Sequence, residues 1–175
     1  MKTLKHHILE KLKVSVKNTT KCTLFPKSKE ELEEMIEDEI SKNGNKCSLN
    51  HIDVSKITDM SDLFFKSEFD GDISDWDVSN VTNMDSMFYN SKFNGDISNW
   101  DVSSVNNMWG MFQWSDFNGN ISNWNVSNVT DMFGMFEYSK FNGDISNWNV
   151  SNVTTTTGMF TSSPLEKHPP KWYKR

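Results

Sequence analysis

The chain has 175 residues, enough for one core or one elongated array and too few for two large independent cores. Aromatic residues reach 13%, with seven Trp and twelve Phe beside ten Met, which is far too much apolar mass for a disordered polymer. Eighteen basic groups against 24 acids leave a net charge of -6, which disfavours a general nucleic-acid binder, and no stretch approaches the roughly 20 apolar residues that span a bilayer.

In chain order, residues 1–25 read both ways: Leu4, Ile8 and Leu12 fit a helix, while Val14 to Val16 and Cys22 to Phe25 fit strands. They lack the apolar core of an export signal, so an unexported protein is expected. Ser28-Lys29-Glu30-Glu31 is a capping box, and Leu32, Met35, Ile36 and Ile40 form an apolar stripe ending at Asn43-Gly44. This predicts a helix over 29–42, and residues 1–47 are read as an N-terminal capping region.

From residue 48 the chain repeats itself. Trp76, Trp100, Trp124, Trp148 and Trp172 are spaced by 24 residues, as are Phe69, Phe93, Phe117, Phe141 and Leu165, and Phe64, Phe88, Phe112, Phe136 and Phe160. Val81 and Met84, Met87 recur in the same register, so five units start at Asp53, Asp77, Asp101, Asn125 and Asn149 within a repeat region of 48–163. A period of this length is too short for paired helices and is the size of one leucine-rich-repeat coil. Val81, Met84, Met87 and Phe88 recur at three- and four-residue steps, which predicts a short helix from Thr82 in each unit. Asp96 to Trp100 reads as an extended segment, stacking about 4.8 Å from its neighbours as a parallel ladder. The fold class expected is therefore an α/β solenoid, a leucine-rich-repeat-like right-handed parallel coil with an N-terminal helical cap. Pro164, Pro169 and Pro170 halt regular structure in residues 164–175, a diverged C-terminal cap with a basic tail, where Trp172 and Tyr173 plug the last unit.

The run Phe93-Asn94-Gly95-Asp96-Ile97-Ser98-Asn99-Trp100-Asp101-Val102-Ser103, followed by Val-x-x-Met-x-x-Met-Phe, resembles the repeat of BspA-like leucine-rich-repeat surface proteins of Bacteroides-type bacteria, Listeria, mycoplasmas and some phages. The resemblance covers roughly residues 48–172. It implies adhesion or interaction rather than chemistry, and an unexported copy looks like a phage-encoded or a cytosolic protein, with a cytoplasmic or virion-associated location expected over a secreted one.

Candidate chemistry is thin. His6, His7, His51, His168, Cys22 and Cys47 are scattered without catalytic or metal-ligand spacing, so no enzyme activity, metal or cofactor is expected. Asp72, Asp96, Asn120 and Asp144 align with one another, and turn chemistry explains that column better than Ca²⁺ does. The glycosylation-type sequons at Asn80, Asn125, Asn128, Asn149 and Asn152 recur because the unit recurs.

A recognition surface needs departures from the repeat. Two variable phases supply them: Ser61, Asp85, Trp109, Phe133, Thr157, and Lys66, Asn90, Trp114, Tyr138, Ser162. Trp109, Trp114, Phe133 and Tyr138 are thus the candidate binding residues, four rings in two adjacent units whose core columns are already filled. The expected function is a non-catalytic scaffold binding a protein or carbohydrate, monomeric or weakly self-associating. The alternative is an assembly module such as a virion component.

Overall fold

The computed structural model describes residues 22–174, so the helix and strand readings around Leu4 to Val16 lie outside the described residues. Helix α1 spans Lys29–Asn43. Ser28 Oγ caps it by accepting from Glu31 N–H at 3.3 Å, while Glu31 reaches back to accept from Lys27 N–H at 2.8 Å. Gly44, at φ 80°, ends it by donating to Ile40 O at 2.8 Å. Leu32 and Ile36 are buried, and Met35 and Ile40 pack half-buried beside them, so the stripe covers the first unit.

The expected α/β solenoid, a leucine-rich-repeat-like right-handed parallel coil, is not what the repeats form. Among the described residues α1 is accompanied by one 3-10 turn at Pro164–Glu166 and six isolated parallel bridges, with no sheet. The segments expected to be helical are runs of turns. In one unit Met87 N–H bonds to Met84 O, Tyr89 N–H to Ser86 O and Ser91 N–H to Phe88 O, each three residues back. The third residue of the first and last of these turns is left-handed, Ser86 at φ 54° and Asn90 at φ 50°, and the same two positions are left-handed in every unit. A right-handed helix cannot pass through them. The intervening N–H groups point along the array: those of Met84, Ser86, Phe88 and Asn90 donate to the carbonyls of Asn107, Trp109, Met111 and Gln113 in the next unit, at 2.8–2.9 Å.

The expected ladder of extended segments is corrected too. Ile97 to Trp100 closes a turn, Trp100 N–H to Ile97 O at 3.2 Å, and four of the six parallel bridges fall instead at single residues along Asp59, Asn83, Asn107, Asp131 and Thr155, with Ser48 to Asp72 the one bridge that joins two of the expected segments among the described residues.

Side chains hold the units in register. Trp76, Trp100, Trp124 and Trp148 are nearly buried, and each indole N–H donates to a carbonyl 27 residues earlier, from Leu49 O at 3.0 Å to Ile121 O at 3.1 Å. Trp172 continues the file onto Ile145 O at 2.9 Å despite its diverged surroundings. Phe64, Phe88, Phe112, Phe136 and Phe160 stack ring on ring at 5.5–6.0 Å, and Phe69, Phe93, Phe117 and Phe141 at 6.2–6.3 Å. The glycine column beside them follows from those rings, since a Cβ at Gly95 would lie 2.8 Å from the ring of Phe93.

Asp and Asn side chains tie the corners. Asp72, Asp96, Asn120 and Asp144 accept, through Oδ1, the N–H of the serine two residues on at 2.9–3.1 Å, the turn chemistry expected of that column. Hydrogen bonds from the side chain and backbone of Ser55 hold the Asp53 carboxyl below the usual carboxylate range, those of Ser98 do so for Asp96, and those of Ser103 for Asp101. A depressed folded pKa contributes stability above the unfolded value of about 3.9, and that stability is lost as pH falls through the folded value. Asp85 has the opposite sign, because burial, with neighbouring acids adding, raises it. The depressed carboxylates outnumber it. The melting temperature is therefore expected to be flat from pH 7 to 5 and to fall below about pH 4. Calorimetry that finds no fall down to pH 2.5 would refute this account of the corners.

Candidate interaction surface

The structure sorts the four candidate rings into two pairs. Trp114 and Tyr138 are 48% and 43% exposed and stack on each other at 4.1 Å between centroids and 11° between planes. Trp109 and Phe133 are half-buried and stack at 5.7 Å and 5°. Among the described residues no ring contact joins one pair to the other. Both pairs stack along the array, the first with its rings open to solvent and the second half-buried.

Trp114 and Tyr138 occupy the left-handed position of their turns, at φ 62° and 54°. Glycine or asparagine is favoured there, and bulky side chains at positive φ are uncommon, at a cost of order 1–3 kcal/mol each. Asn90 in the same column follows the local rule, whereas Lys66, Trp114, Tyr138 and Ser162 do not, and of these Trp114 and Tyr138 are the bulky rings. Both rings remain more than two-fifths exposed although they stack face to face.

Between the pairs in sequence, Gly110 and Gly134 take the other left-handed position at φ 55° and 59°. A Cβ on Gly110 would stand 3.2 Å from Gln113 Oε1, so the glutamine side chain lies over the glycine. Gln113 Nε2 donates to Glu137 Oε2 in the next unit, which fixes both side chains. Acid surrounds the half-buried pair: Asp85 precedes Trp109 in its column, and the charges of Asp62, Asp131 and Asp59 act on it. The face therefore combines rings with negative charge.

A further aromatic feature escaped the sequence reading. Phe65, 42% exposed, stacks on Tyr89 at 4.8 Å, with Lys66 Nζ 4.9 Å from the Phe65 ring centroid. Its column, Phe65, Tyr89, Gln113, Glu137, Thr161, is a third variable phase and was open to the same test that singled out Trp109 and Trp114.

The remaining polar groups serve the framework. The sequon asparagines Asn80, Asn128 and Asn152 donate to carbonyls of the preceding unit at 2.7–2.9 Å, which gives the recurrence of those sequons a structural reason. Burial, then the charge of Glu39, pushes the Cys47 thiol up, the direction of an inert rather than a nucleophilic sulfur. No helix among the described residues is long and apolar enough to cross a membrane.

Compared with known proteins, the family described as "Mycoplasma protein of unknown function, DUF285" matches residues 30–118 and again 113–173. No curated protein and no solved structure matches the chain. The expected phage origin draws no support from the family match.

Proposed function

The chain belongs to the DUF285 family, and on that premise we propose that it is a non-catalytic binding scaffold of the BspA-like surface-repeat kind, gripping a protein partner through Trp114 and Tyr138. The observation that carries the reading is the conflict at those two residues: large rings held exposed at left-handed positions where glycine or asparagine costs less. Local rules broken for large side chains that stay this exposed point to function. Trp109 and Phe133, stacked and half-buried in the same two units, add a second aromatic pair to this face.

The pairing favours protein over carbohydrate. A sugar ring stacks on an open aromatic face, and Trp114 and Tyr138 each cover one face with the other, which leaves less open ring for a sugar. The acids in and beside the Trp109 column, Asp85 and the carboxylates that act on it, suit a basic partner, whose arginine side chains meet both carboxylates and rings. Carboxylates and amides that might otherwise do chemistry are engaged with their own backbone, as at Asp96 and Asp144.

The test replaces both exposed rings by the residue their backbone favours. In Trp114→Gly/Tyr138→Gly, relief of positive φ is offset by glycine's greater unfolded-state entropy, about 0.5–1 kcal/mol per site, so the melting temperature should move little. Capture of the partner, identified by mass spectrometry as what immobilised wild-type protein retains from native lysate, should drop tenfold or more. Undiminished capture with a lowered melting temperature would assign the rings to packing. Concentration-dependent light scattering by the wild-type protein alone would point to the assembly module instead.

A further inference from the structure

The last unit ends in a row of backbone donors. In every earlier unit four alternate N–H groups bond to the next unit, as Met132, Gly134, Phe136 and Tyr138 do to the carbonyls of Thr155, Thr157, Met159 and Thr161 at 2.8–3.0 Å. Their equivalents in the final unit are Thr156, Gly158, Phe160 and Ser162. Ser162 N–H bonds to the carboxylate of Glu166 at 3.1 Å, whose oxygen stands where the next unit's carbonyl would be. The N–H groups of Thr156, Gly158 and Phe160 have no acceptor among the described residues. They face a cleft of about 330 Å³ that Phe160, Tyr173, Glu166 and Lys174 also line. The adjoining apolar edge is open as well: Val150 and Val153 are only partly buried, whereas Val126 and Val129 of the unit before are 1% and 0% exposed.

We propose that this end of the array is a second binding site, which takes an acidic peptide segment presenting backbone carbonyls at every second residue. The donors set the chemistry, since they repeat the spacing that the internal units meet with carbonyls, and main-chain pairing at an open edge is a general mode of peptide capture. Glu166 at the fourth donor shows that an anionic oxygen is accepted there. Lys174 lines the cleft and gives an acidic side chain of the ligand a partner there, while the Glu166 carboxylate is already engaged by Ser162 N–H. A second copy of the chain is the poorer occupant. Its corresponding carbonyl row, beginning at Asp59 and Ser61, lies beside α1, whose Lys29 Nζ bonds to Ser61 Oγ at 2.9 Å and whose Leu32 is buried on the array.

The probe is a blocked synthetic peptide spanning residues 129–139, the segment whose carbonyls satisfy the equivalent donors of unit three, with Asp131 and Glu137 supplying its charge. Amide exchange is followed by NMR on the full chain. In the dilute protein the amides of Thr156, Gly158 and Phe160 should exchange at least about tenfold faster than those of Met132, Gly134 and Phe136. Adding the peptide should protect them saturably, a scrambled peptide should not, and Lys174→Glu should weaken the effect severalfold. Protection already present in the dilute protein would mean that the chain itself fills the row. Protection that follows protein concentration would mean self-association, and equal protection by the scrambled peptide, or none by either, would mean no such site; each overturns the proposal.

Discussion

Trp124→Ala is expected to destabilise the protein by about 3–5 kcal/mol, the range for truncating a large buried aromatic side chain. Trp124 is 4% exposed, its ring lies 6.3 Å from that of Phe112, and its indole N–H donates to Ile97 O at 3.1 Å. The substitution therefore opens a cavity and leaves a buried carbonyl without its donor. Trp124→Phe separates the two effects: most of the ring volume stays, and the loss should be about 1–3 kcal/mol for the unpaired carbonyl. Chemical denaturation measures both. A shift of less than 1 kcal/mol for the alanine variant would show that the indole file does not hold the units together.

The second large effect is at the other end of the array. Leu32→Asp/Ile36→Asp places two charges where α1 buries its stripe, and an unpaired buried charge costs several kcal/mol, more than one 15-residue helix can recover. The helix should leave the first unit and expose Ile57, Met60 and Phe64, all 3% exposed or less in the native protein. An uncovered repeat edge recruits other chains, so light scattering is expected to show aggregates where the wild type shows none. A soluble, monomeric variant with an unchanged melting temperature would mean that α1 does not protect the core. Deleting residues 1–44 should give the same aggregation.

Both predictions rest on positions that were legible beforehand. The 24-residue recurrence of Trp124 and its equivalents marks an interior file because only a shared environment selects the same large side chain at every turn of a repeat. α1 was legible for a local reason: Ser28, the apolar stripe and Gly44 are start, face and stop signals that act within one helix. The candidate surface was legible in part. Departure from the repeat singled out Trp109, Trp114, Phe133 and Tyr138, but their division into a half-buried and an exposed pair depends on ring stacking between units. Phe65 and Tyr89 were passed over because Phe65 follows the core residue Phe64 and reads as part of the same apolar run.

What the amino-acid sequence determined by itself was the repeat length, the residues that fill the interior and the helix at its start, because each follows from side-chain identity in a fixed register. The conformation within a unit was decided only by tertiary structure. Val81, Met84, Met87 and Phe88 have helical spacing, yet successive three-residue turns place apolar side chains at the same intervals. The choice lies with the N–H groups, which bond to the next unit instead of four residues back. Gly110, Gly134 and Gly158, in the middle of the expected helices, were the one sequence signal against them. Ser86 and Asp62 hold the same left-handed conformation without glycine, since the carbonyls of the following unit hold the backbone there.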